Sequence, residues 1–156
     1  MRDLLGLAVV AFVSALVPVV NLEAYLGLRA ALADVNDLWL LGFVAAAGQM
    51  GGKVIWYLIG ASSLEWGWIK RRVEKPKAQA RLATWQTRTE ERPLLAGTLV
   101  FASAVTGLPP FAIVAVLAGQ LRMNLVAFFV LGLAGRWLRF SAVLGSIGWL
   151  QHVGIF

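Results

Sequence analysis

The sequence predicts an all-α integral membrane protein made of two repeats of the inverted-repeat kind. Each repeat is a Pro/Gly-broken segment followed by a Gly-rich transmembrane helix, and a basic amphipathic cytoplasmic loop joins the two. Three observations lead there. The 156 residues are 60% hydrophobic and only 14% charged, with a mean hydropathy of +0.77, a composition whose missing polar surface is supplied by lipid. At about 20 apolar residues per crossing, the chain has room for roughly four membrane segments and one polar loop. The order of those segments also repeats, broken then glycine-rich, which is the hydropathy pattern of inverted-repeat transporters. The expected organisation is a single membrane domain over 1–156, with repeat one at 1–61, the basic loop at 62–93 and repeat two at 94–156.

The first segment, Leu4 to Leu32, is apolar but interrupted by Pro18, Asn21 and Glu23 in PVVNLE. Proline lacks the N–H that a helix interior needs, so the helix breaks or kinks there. Met1-Arg2-Asp3 ahead of an apolar run has the outline of a signal peptide. Asp3 offsets Arg2, however, and the apolar character continues past Val20, so the segment reads as working membrane structure.

From Leu38 to Ala61 the chain is apolar except for Gln49 and Lys53, and it carries Gly42, Gly48, Gly51, Gly52 and Gly60. That length suits a full crossing, and the glycines suit close helix packing. Between Ser62 and Pro93 the composition changes: Lys70, Arg71, Arg72, Lys75, Lys77, Arg81, Arg88 and Arg92 stand against Glu65, Glu74, Glu90 and Glu91. The positive-inside rule places this loop in the cytoplasm. Ala78, Leu82 and Trp85 fall at i, i+4 and i+7, the spacing of a helix lying on headgroups, with Trp66 and Trp68 at its start; a solvated basic linker is the other reading.

The third segment, Leu94 to Leu121, is broken by Thr106-Gly107-Leu108-Pro109-Pro110, and the fourth, Leu125 to Leu150, is again glycine-rich. Two topologies fit. If all four segments cross, both termini are cytoplasmic. If the broken segments are re-entrant hairpins, one entering from outside and the other from the cytoplasm, only two segments cross and both termini lie outside.

Several function classes are disfavoured. The chain has no cysteine and one histidine, His152, so neither thiolate chemistry nor a histidine-rich metal site is expected, and no cofactor is. The formal charge of +6 gathers beside apolar segments, where it meets anionic lipid headgroups rather than nucleic acid. No histidine stands beside a serine or aspartate, so an enzyme is not expected.

Charges inside apolar segments cost at least about 2.5–3.5 kcal/mol each on insertion scales and call for a partner, a water-filled cavity or a function. Glu23, Lys53, Arg136 and Arg139 qualify. Glu23, just past a helix break, suits proton coupling. Arg136 and Arg139, one turn apart in GRWLRF, can face one side of their helix and match a phosphate. An ion pair with Glu23, or snorkelling to an interface, is the alternative for these arginines. Lys53 reaches toward a cavity or snorkels past packed glycines, and Thr106 and Gln49 line a path or make local hydrogen bonds. Gly48, Gly52, Gly119 and Gly135 are the expected packing positions. Trp39, Trp56 and Trp149 are expected in interfacial belts or on lipid-facing surfaces.

PVVNLEAYLG, AAAGQMGGKVIWYLIG, GLPPFAIVAVLAGQLRMNLVAFF and GRWLRF, in that order, resemble the DedA family of membrane proteins, also called the VTT or SNARE-associated family, in a short actinobacterial-type form. The resemblance implies two re-entrant hairpins facing each other and movement of polyprenyl phosphates or phospholipids between leaflets. The family's acidic residue after the first-hairpin proline falls on Glu23, and its late glycine-arginine motif on Gly135, Arg136 and Arg139. Two positions depart from the family pattern: Lys53 stands where many members have aspartate, and Phe101-Ala102-Ser103-Ala104 replaces arginine-bearing sequence around the second hairpin.

The leading expectation is a translocase or scramblase of phosphate-containing lipid in a bacterial plasma membrane, with membrane lipids and their anionic headgroups as partners. Substrate contacts are assigned to Arg136, Arg139, Lys53 and Thr106, and proton exchange to Glu23. A small proton-coupled exporter, enclosed as a homodimer, and a non-transport assembly protein are the rivals.

Overall fold

The computed structural model describes residues 2–16, 22–32 and 38–153. Every helix or strand element among them is an α-helix: α1 (Arg2–Leu16), α2 (Leu22–Leu32), α3 (Leu38–Ser63), α4 (Gly67–Val73), α5 (Pro76–Glu91), α6 (Pro93–Thr106), α7 (Phe111–Gln120) and α8 (Leu125–His152). A helix satisfies its backbone donors and acceptors within the segment, which lipid demands. Each broken segment of the sequence is a pair of helices, α1 with α2 and α6 with α7.

Length separates the two kinds of segment. α3, with 26 residues, and 22 residues of α8, Leu125–Ser146, are long and apolar enough to cross a membrane. α6 and α7 are apolar but have only 14 and 10 residues. At 1.5 Å per residue they measure roughly 21 and 15 Å, against a hydrocarbon core of about 30 Å.

The basic loop is helical. Pro76 and Pro93 sit in the first turns of α5 and α6, where a missing N–H costs nothing, and each forces the residue before it out of helical geometry. Within α5 the half-buried face runs Ala78, Leu82, Gln86 and Thr89 while the remaining residues are exposed.

The α6–α7 turn supplies its own hydrogen bonds. Gly107 caps α6 in the left-handed region at φ 78°, the conformation glycine adopts without strain, and its N–H donates to the Ser103 carbonyl at 2.8 Å. The Leu108 N–H donates to Thr106 Oγ1 at 3.2 Å. Pro109 and Pro110 have no N–H. Every backbone donor from Gly107 to Pro110 is therefore either bonded within the turn or absent. Ser103 Oγ closes the turn by donating to the Pro109 carbonyl at 2.7 Å.

The helices form two compact units, Met1–Gly52 with Leu133–Phe156, and Lys53–Gly132. In the first, Leu7 and Ala11 of α1, Leu22 and Leu26 of α2, Ala45 of α3 and Phe140 and Leu144 of α8 make a buried core. Glycines let α1 approach α3: a β-carbon at Gly48 would lie 2.6 Å from the Ala8 carbonyl oxygen, and one at Gly52 would lie 2.5 Å from Ala15 Cβ. In the second unit, Gly60 of α3 faces the Val116 carbonyl and Gly119 of α7 faces the Tyr57 carbonyl, so the two backbones touch reciprocally. The Phe128 ring packs beside them, 5.2 Å from Tyr57 and 5.7 Å from Phe111 between centroids.

These contacts predict that Gly119→Ala lowers stability by about 1–3 kcal/mol or more, since one methyl must displace backbone rather than a side-chain tip. Gly6→Ala in α1, with nothing within 4 Å of the added carbon, should be neutral or slightly stabilising. Thermal unfolding of both variants in detergent checks the contrast; equal midpoints would show that the glycine seam does not hold α3 to α7.

Candidate functional site

Arg136 lies half-buried on α8, within the first unit. Its Nη1 donates to Oε1 of Gln49 on α3. A guanidinium has only donors, so the Gln49 amide must present its oxygen to Arg136 and its NH2 elsewhere. That NH2 donates to Ser14 Oγ on α1 at 3.3 Å, and Ser14 donates in turn to the Ala11 carbonyl at 2.7 Å. Gln49 and Ser14 are buried, at 9% and 7% exposure. The result is a directional chain of hydrogen bonds from a cation on α8 through α3 to the α1 backbone. Gly48 and Gly52 bring α1 close enough for the bond between Gln49 and Ser14.

Arg139 is half-buried one turn along α8, and Gly135 is buried just before Arg136. At 100° per residue, Arg136 and Arg139 share a side of the helix and Trp137 points away from both. Trp137 instead meets Trp39 and Phe43 edge-on, at 6.0 and 5.7 Å between centroids, and its indole N–H donates to the Trp39 carbonyl at 3.3 Å. This aromatic cluster fixes the rotation of α8 and thereby the side that the arginines occupy. Lys53 is buried on α3, one turn beyond Gln49.

The remaining predicted positions are spread along the chain. Glu23 falls in the first turn of α2. Its side chain lies outside the described residues, as do Pro18 and Asn21 entirely. Thr106 is exposed in the second unit, its hydroxyl engaged with the Ala102 and Leu108 carbonyls and the Leu108 N–H. It belongs to the turn, together with Gly107, Pro109 and Pro110. Among the described residues no group of three or more His, Asp or Glu side chains could hold a metal ion.

Sequence reasoning passed over the residues that organise the arginine. Ser14 carries no signal in the hydropathy pattern, and Gln49 reads there only as a path-lining or locally bonded group. The signal is a repeated tripeptide, Ala-Gly-Gln, at 47–49 and 118–120. The second copy does what the first does: Gly119 seats against α3, and Gln120 Nε2 donates to Ser63 Oγ at 3.1 Å, while Ser63 donates to the Gly60 carbonyl at 2.7 Å. In both copies the glycine admits the neighbouring helix and the glutamine bonds a serine on it.

A family model for the VTT domain matches residues 20–148. The chain belongs to the VTT-domain family, the DedA family. No curated protein and no solved structure matches it. The VTT match runs from the Pro/Gly-interrupted stretch through nearly all of α8 and takes in Gln49, Arg136 and Arg139. α1, which supplies Ser14, precedes it. As a VTT-domain protein with two helices of spanning length, the chain is a membrane protein.

The hydrogen-bonded chain predicts energetic coupling between α3 and α8. Gln49→Leu and Arg136→Leu should each destabilise the protein, and the double variant should fall short of their sum by about 0.5–3 kcal/mol. Unfolding midpoints of the four proteins in one detergent measure that term. A coupling indistinguishable from zero would mean that Gln49 does not hold the guanidinium.

Proposed function

We propose that this DedA-family protein moves phosphate-containing lipid, a polyprenyl phosphate or a phospholipid, between the leaflets of a bacterial plasma membrane, as a transporter rather than an enzyme. The observation that carries this reading is the Ser14–Gln49–Arg136 chain, which holds a permanent charge half-buried within an apolar helix. Such a charge is expensive to insert and is kept where it meets a ligand or a polar path. A planar fork of donors, with a second guanidinium on the same side at Arg139, matches phosphate oxygens better than it matches a neutral solute.

In this mechanism Arg136 and Arg139 receive the headgroup, and Glu23 exchanges a proton as the headgroup crosses. The hydrocarbon chains stay in lipid. Topology follows from length and from the turn. Helices of 14 and 10 residues are too short to cross, and non-helical backbone at membrane depth has to be buried in protein or face water. The α6–α7 turn bonds its own donors, which lowers the cost of placing it at that depth. We therefore read α1–α2 as a hairpin entering from outside and α6–α7 as one entering from the cytoplasm, with α3 and α8 crossing and both termini outside. The two halves are then inverted repeats.

The test is leaflet-to-leaflet movement of a fluorescent polyprenyl phosphate and a fluorescent phospholipid in proteoliposomes. Arg136→Ala/Arg139→Ala should slow movement at least about tenfold, the equivalent of one lost charged hydrogen bond of about 1.5–3 kcal/mol. Glu23→Gln should remove any dependence on a pH gradient. Movement of neither lipid, with or without a gradient, would sink the proposal and leave small-solute export as the reading to pursue.

A further inference from the structure

The second unit contains a cavity of about 850 Å³ lined by α5, α6 and α7, within the range of about 300–1,000 Å³ that ligand pockets occupy. Its two parts differ chemically. Leu95 and Leu99 of α6 and Leu117 of α7 supply an apolar floor, yet they remain 64%, 52% and 45% exposed, so the protein itself does not fill the groove. Arg88 and Arg92 line it from the C-terminal end of α5. Arg88 lies in the last turn of α5 and Arg92 is its C-cap, the end of a helix where cations are favoured by the dipole. The Arg88 guanidinium lies 5.4 Å from the centre of the Trp85 ring, which holds it at the rim. Glu91 lines the cavity too, and one carboxylate against two guanidinium groups leaves the rim positive.

α5 has no buried residue, so no core of its own secures it. Gln86 Nε2 donates to the Gln120 carbonyl at 3.0 Å, a single polar tether beside an open apolar groove. A soluble phosphate ligand would have no use for the leucine floor, and a neutral hydrocarbon none for the arginines. We propose that the groove binds one anionic phospholipid, with its phosphate on Arg88 and Arg92 and an acyl chain along Leu95, Leu99 and Leu117. The lipid wedges α5 against the α6–α7 pair. This site is separate from the one assigned to translocation and does not depend on it, because it is read by binding rather than by lipid movement.

The experiment is native mass spectrometry of the full chain released from detergent containing phosphatidylglycerol or phosphatidylcholine. Wild type should retain phosphatidylglycerol in preference to phosphatidylcholine. Arg88→Gln/Arg92→Gln should reduce that preference at least about tenfold, the scale of one charge-assisted contact. Lys77→Gln/Arg81→Gln removes the same charge from exposed positions of α5 outside the cavity and should leave the preference intact. Leu99→Trp, filling the floor, should lower retention of both lipids, with circular dichroism confirming its helix content. Equal losses in the two charge variants would mean general surface attraction and overturn the proposal, as would displacement of phosphatidylglycerol by an equal concentration of inorganic phosphate.

Discussion

Polar groups carried into apolar helices have to be answered from within the chain, because hydrocarbon offers no water to bond with. That constraint is met at several places among the described residues. It accounts for the Tyr57 hydroxyl donating to the Met123 carbonyl, for serines that bond carbonyls three residues back, and for a hairpin turn whose donors are bonded locally or removed by proline. It also explains why Arg136, half-buried in the first unit, comes with a glutamine and a serine behind it. Each group's partner needs a partner of its own, so a single buried charge recruits helices on either side.

Close approach of backbones makes those partnerships reachable. In lipid, apolar surface gives little reason for one helix to prefer another, so association falls to contact area and hydrogen bonds, both of which improve when helices nearly touch. Gly48 and Gly52 bring α1 to α3, and Gly60 and Gly119 bring α3 to α7. Gln49 and Gln120 then reach serines across the seams they create. The same glycines that shorten the interhelical distance thus set the length of side chain that can bridge it.

Much of this was legible in the sequence. Thr106 through Pro110 mark the break between α6 and α7; the long apolar runs give α3 and α8 to within a few residues; the i, i+4, i+7 pattern at Ala78, Leu82 and Trp85 marks α5. The candidate charges were visible as exceptions to hydropathy. What hydropathy could not supply was direction. It ranks Gln49 as a minor polar interruption, although the amide decides where Arg136 points, and it is silent on Ser14, whose hydroxyl hides among Val13, Ala15 and Leu16. Nor does composition distinguish a loose basic loop from two helices; the positions of Pro76 and Pro93 do that, through the geometry they impose on their neighbours.

The paired glycine and glutamine have a consequence for motion. Sliding α7 by one turn along α3 would bring Ala115 or Met123 to the place of Gly119, and neither lets the α3 backbone approach; Trp56 and Leu64 stand at the corresponding places around Gly60. The glutamine–serine bond would break in the same step. The seam therefore behaves as a keyed joint that resists axial slip, and shear between these helices is not available as a working stroke. A conformational cycle that keeps this seam carries α7 and the part of α3 around Gly60 together as one piece.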